Sequence, residues 1–144
     1  MIVGHCATLG QAQDLDHPQR AAVPAFRLFA RLMDDPVFGP QVHGDVSAVT
    51  QINRHPDSLR ELLQRRDWHA RLLYGSDYPL PALPWLTSVS RLADAGLIDP
   101  LDAAPLKALQ QLNPLAFDFA LKRSLQWQGA RWPARVFETR RLLA

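Results

Sequence analysis

The sequence predicts an α/β fold built on parallel strands, and three observations carry the prediction. Residues 2–6, 41–47 and 71–75 carry strand signals. Helical stretches separate them, and the order strand, helix, strand, helix, strand favours parallel pairing through right-handed crossovers. Each strand also runs out near polar side chains: His5, then His43 with Asp45, then Asp77.

Taken in order, the first strand runs over 2–6 and ends in the pair His5-Cys6. Phe26, Phe29 and Met33 form one stripe of a helix over 25–33. In the second strand Val42 and Val46 take one face, and His43, Asp45 and Ser47 take the other. Ser58-Leu59-Arg60-Glu61 matches a capping box ahead of Leu62 and Leu63. The third strand leads to Asp77, framed by Gly75 and Pro79. A helix over 84–95 follows, with Leu86, Val89, Leu92 and Ala93 at helical spacing and a stop at Gly96. Another covers 102–112. Asn113-Pro114 then gives an N-cap with proline at the first helical position, opening a helix over 115–125. Linkers are short and no repeat is visible, so one domain, or one piece of a domain, is expected.

Composition narrows the class. With 144 residues, 47% of them hydrophobic, the chain buries one ordinary core. No run approaches the ~18 apolar residues of a membrane span, and no basic n-region precedes an apolar stretch at the start. The single cysteine excludes an internal disulfide and a multi-cysteine zinc site, and a cytoplasmic protein is the default. Net charge is only +2, yet residues 122–144 hold six cations against Glu138 alone. Such a tail suits nucleic acid or an acidic membrane. Trp127 and Trp132 argue instead for packing on the parent domain, and no recognised nucleic-acid motif accompanies the charge, so no such partner is expected.

Ligands of parallel α/β proteins sit at the carboxyl ends of strands, so His5, His43, Asp45 and Asp77 are expected on one rim. Imidazole and carboxylate both ligate divalent metals, and both move protons to or from water. A histidine at a strand end is also commonly a hydrogen-bonded structural residue. His43, Asp45 and Ser47 share a face and either line a pocket or fill a barrel layer. Cys6 should be a buried packing residue, because neighbours on a strand point to opposite faces and it cannot easily meet His5. His17, His55 and His69 sit in polar or turn-like contexts and read as surface. No G-x-S-x-G elbow, P-loop or G-x-G-x-x-G is present.

The succession Ile2-Val3-Gly4-His5-Cys6, Gly44-Asp45-Val46-Ser47-Ala48 and Arg71-Leu72-Leu73-Tyr74-Gly75-Ser76-Asp77-Tyr78-Pro79 resembles the amidohydrolase-related family of metal-dependent hydrolases. Asn113-Pro114-Leu115-Ala116-Phe117 is similar to the helix that closes that domain. The resemblance implies a partial (β/α)8 TIM barrel over 1–123, strands six to eight with their following helices, and a basic tail over 124–144 packing on it. It implies hydrolysis or decarboxylation of a small-molecule substrate by a metal-activated water. His5 and Asp77 would be catalytic, and Asp77 would also contact a divalent metal, zinc being expected for the family. His43, Asp45, Ser47, Ser76 and Tyr78 would line the substrate pocket. The family's H-x-H pair is absent, as is a metal-binding histidine or lysine ahead of His5, and a barrel takes ~250 residues. A partial chain is therefore expected, holding metal weakly or not at all by itself. Its open edges favour self-association or an N-terminal partner chain. The alternative is a non-catalytic barrel remnant acting as a binding or interaction module.

Overall fold

The structure is a computed structural model describing residues 1–142. The chain opens on β1 (Ile2–Val3), turns tightly through residues 4–7, and forms an antiparallel hairpin of β2 (Gln11–Gln13) and β3 (Ala22–Pro24) ahead of α1 (Ala25–Asp34). Next come β4 (His43–Asp45), α2 (Pro56–Gln64) and β5 (Leu72–Leu73). The remaining helices are α3 (Val89–Asp94), α4 (Ala103–Leu112) and α5 (Pro114–Ser124). β1, β4 and β5 form a parallel sheet in that order, with Val3 opposite Gly44 and Gly44 opposite Leu72.

The core lies behind this sheet. Phe26, Phe29 and Met33 bury the predicted stripe of α1, and Phe29 meets Trp68 edge-on at 5.8 Å between ring centres. Gly44 is where β4 touches that layer. A Cβ there would lie 2.7 Å from the Cys6 sulfur and 2.8 Å from Phe29, so only glycine admits the contact. Leu59, Leu62 and Leu63 bring α2 into the same core. Its start is not the expected capping box. Pro56 occupies the first turn, His55 is the cap, accepting from the Asp57 N–H, and Ser58 is already inside the helix. The helix expected over 84–95 shortens to α3, which begins only after the Ser88 side chain caps the Arg91 N–H. Asn113 caps α5 as its sequence predicts, accepting from the N–H groups of Leu115 and Ala116.

The expected partial (β/α)8 barrel is not formed. The described residues form a small mixed α/β domain with one three-stranded parallel sheet, a separate hairpin and no barrel. Closing a barrel needs many tilted, staggered strands. These three pair over only two or three residues each. After β5 the chain does not return to the sheet as a strand but goes on into α3, α4 and α5. The first strand is cut short because His5, Cys6 and Ala7 all take left-handed backbone angles, with φ of 54°, 48° and 51°.

The tail expected over 124–144 extends to Leu143 and Ala144, which lie outside the described residues. As far as it is described, it packs. Val136 is fully buried and its carbonyl accepts from the Tyr74 N–H at 2.7 Å, covering the outer edge just past β5. Buried Trp132 donates to the Leu62 carbonyl at 3.1 Å. Among the described residues, no helix is long and apolar enough to cross a membrane.

Candidate functional site

At the carboxyl end of the sheet, three loops carry polar side chains to one place. The first is the turn after β1, closed by the Thr8 N–H and hydroxyl, which both donate to the His5 carbonyl. The second follows β4, where the Ser47 N–H donates to Asp45 Oδ1 at 2.9 Å and folds the chain back on its own aspartate. The third follows β5 and presents Asp77 from a backbone with φ of 56°. Left-handed angles at non-glycine residues cost roughly 1–3 kcal/mol and gather at functional sites. His5 and Asp77 are among them here, as are Cys6, Ala7 and Ala48 in the same loops and Arg20 and Gln128 elsewhere.

These loops build a chain of contacts. His5 Nδ1 lies 2.8 Å from Ser47 Oγ, and the Ser47 hydroxyl contacts Asp45 Oδ2 very closely. A carboxylate has no proton to give, so the hydroxyl donates to Asp45 and must accept from His5. That places a proton on Nδ1, so in the neutral imidazole Nε2 is the unprotonated nitrogen. Nε2 faces Asp77 Oδ2 at 3.8 Å. The gap exceeds a direct hydrogen bond, and both side chains remain about a third exposed, so water has access to the pair. The open pocket in front of them measures about 590 Å³, with Ile2, Leu73 and Tyr74 supplying apolar wall. Gly75 completes it by close approach: a Cβ there would stand 2.6 Å from Asp45 Oδ1.

Beneath the pocket lies a buried polar network that sequence reasoning missed. Lys122 is fully buried and donates to the Gly75 carbonyl at 2.9 Å and to Asp118 Oδ2 at 2.8 Å. The Tyr74 hydroxyl donates to the same carboxylate oxygen at 3.0 Å. Burial pushes the Asp118 carboxyl up and the Lys122 ammonium down, and each ion opposes the other's shift. Burial, then the Asp118 charge, raises the Tyr74 phenol. The signal was available in the sequence as an acid and a cation four residues apart among Phe117, Phe119 and Leu121.

His5, Asp45, Ser47 and Asp77 are thus brought together, while the other expected site residues are not. His43 shares the Asp45 face of β4 but is not part of the pocket lining, and it pairs with Ile2 across the sheet. Ser76 turns below, where its hydroxyl accepts from the Tyr78 N–H at 3.3 Å and it borders a small cavity with Phe117 and Asp118. Tyr78 is largely exposed, and its peptide bond to Pro79 is cis. Cys6 is fully buried, its thiol donating to the Asp45 carbonyl at 3.2 Å, and burial pushes that thiol up, away from the reactive thiolate. His69, expected at the surface, is buried with Nε2 donating to the Leu62 carbonyl at 3.2 Å. Among the described residues, no three His, Cys, Asp or Glu side chains group so as to hold a metal ion.

No protein-family model, curated protein or solved structure matches the chain.

Proposed function

We propose that the His5–Asp77 pocket is a hydrolytic site for a small molecule. The observation that carries the reading is the directed proton path: Asp45 and Ser47 hold the Nδ1 proton of His5, so Nε2 faces Asp77 and the pocket as a base. Water between Nε2 and Asp77 attacks an electrophilic carbonyl carbon of the substrate. As the new C–O bond forms, Nε2 takes the water proton, and Asp77 stabilises the imidazolium. The bond to the leaving group then breaks, and the proton passes from Nε2 to the departing oxygen or nitrogen. His5 and Asp77 amount to two donors, whereas a tightly held divalent ion needs three or four ligands. The expected zinc therefore does not fit this donor set, and the proton route rests on the side chains alone. The lone cysteine, buried and unpaired, accords with a cytoplasmic setting.

The 3.8 Å between Nε2 and Asp77, longer than a direct hydrogen bond, favours a second reading, a non-catalytic pocket that binds a small molecule. One panel separates the two. Activated esters, lactones and amides are incubated with the chain, with and without added zinc, beside His5→Asn and Asp77→Asn. The hydrolytic reading expects zinc-independent turnover that drops by about 10²–10⁴ in either variant, the usual worth of a positioned acid–base group. Turnover unaffected by both substitutions, or none on any substrate, would overturn it in favour of the binding pocket.

A further inference from the structure

A second concavity of about 600 Å³ lies beside the site, between the loop that follows His5 and the start of α2. Thr8, three residues beyond His5, is in its wall. Its charged lining is mostly committed elsewhere. Arg27 is paired with Glu61 at 2.9 Å, Arg91 donates to the Ile52 carbonyl at 2.6 Å, and Asp57 is held by Arg60 at 2.8 Å. Arg54 differs. Its Nε is buried with no hydrogen-bond partner among the described residues, and the carboxylate whose charge reaches its guanidinium is Asp77 of the neighbouring site.

A buried guanidinium nitrogen without a partner is costly and rare enough to require an explanation. Arg60 shows what an ordinary resolution looks like. Its Nε is also unpaired, but its guanidinium stacks on Trp127 at 4.4 Å and donates to Asp57 and the Ala95 carbonyl. Among the described residues Arg54 has no stacked ring and no hydrogen bond of that kind, and only the charge of Asp77 reaches it. It is half-buried, it borders an open groove, and its fork of donors matches a carboxylate or phosphate.

We propose that the groove takes the anionic end of the substrate, a carboxylate or phosphate held by Arg54, while the group to be cleaved reaches His5 and Asp77. This rests on the hydrolytic reading above and names its substrate class. A neutral molecule would offer the groove-facing guanidinium of Arg54 no counter-charge, so the site discriminates for anions by the charge-assisted partner they supply.

The test is a titration of the ¹⁵N-labelled full chain, following the arginine Nε–Hε correlations, with malonate in one arm and inorganic phosphate in the other. The Arg54 signal should move saturably, more weakly at high salt, and the tighter-binding ion identifies the terminal group. Arg54→Met, with folding checked by its thermal transition, should weaken binding by roughly tenfold or more, the worth of a charge-assisted hydrogen bond. A stationary Arg54 signal with both ions, or unchanged affinity in folded Arg54→Met, would overturn the inference, and the first of these needs no variant. Failure of the hydrolytic reading looks different. In that case His5→Asn retains anion binding while the unmodified chain cleaves nothing. Hydrolysis at equal rates on neutral and anionic esters would instead remove the anion preference and leave the hydrolytic reading standing.

Discussion

Two cations near the same end of the sheet, Lys122 fully buried and Arg54 half-buried, have opposite fates. Lys122, under the pocket floor, is enclosed and satisfied: it donates to a carbonyl and a carboxylate, and its ammonium sits 5.2 Å from the centre of the Tyr74 ring. Arg54, beside the pocket, buries a donor that finds no partner. A satisfied buried ion fixes structure, here the Gly75 carbonyl just ahead of Asp77. An unsatisfied one costs stability and is retained where it has another use. The difference separates the part of this region that supports the site from the part offered to a ligand.

The largest effect is expected at the supporting network. Lys122→Met leaves the Asp118 carboxylate buried without its cation, a change that typically costs about 3–5 kcal/mol, and urea denaturation should register it as a large loss of stability. Next comes Gly75→Ala, whose methyl must displace the Asp45 carboxylate from Ser47. A loss of roughly 1–3 kcal/mol follows for such overpacking, together with disturbed His5 signals in NMR spectra. Arg54→Met should go the other way, leaving the free chain equal or up to about 1 kcal/mol more stable, because an orphaned donor is removed. A loss as large as that of Lys122→Met would erase the comparison and make Arg54 structural.

The smallest effect is a pH dependence from His69. Burial holds its imidazole below the ordinary value of 6.5. Between the lowered folded value and 6.5, the unfolded chain binds a proton that the native chain does not. Stability should therefore rise with pH through that window and be lost progressively as pH falls below 6.5, by no more than one proton's linkage. His69→Gln should flatten the slope in denaturation curves collected across that range.

Much of the site was legible because strand ends and glycine placement have local signatures. The three parallel strands, the α1 stripe and the Asn113 cap follow from spacing alone. So does the meeting of His5 with Asp77, since parallel strands deliver their ends to one rim. The absence of a barrel was not legible, because closure is a property of the whole sheet and three strands of two or three residues do not decide it. The hairpin of β2 and β3 was hidden because its strands, Gln11–Gln13 and Ala22–Pro24, are three residues each and too short to show a period. The divergence of Cys6 from His5 was anticipated for the wrong reason. They part in a left-handed turn, and not as neighbours on a strand. Arg54 carried no motif at all, and its significance lies in the bond it fails to make.

The account turns on which nitrogen of His5 carries the proton, and long-range ¹H–¹⁵N correlation of the histidine side chains reads this directly. The contact of Nδ1 with Ser47, itself donating to Asp45, predicts that the neutral form of His5 carries its proton at Nδ1, with Nε2 unprotonated toward Asp77. Ser47→Ala should return the ring to a mixture of tautomers. A neutral His5 protonated at Nε2 in the unmodified chain would contradict the account, because the nitrogen facing the pocket would then have no lone pair with which to take a proton from water.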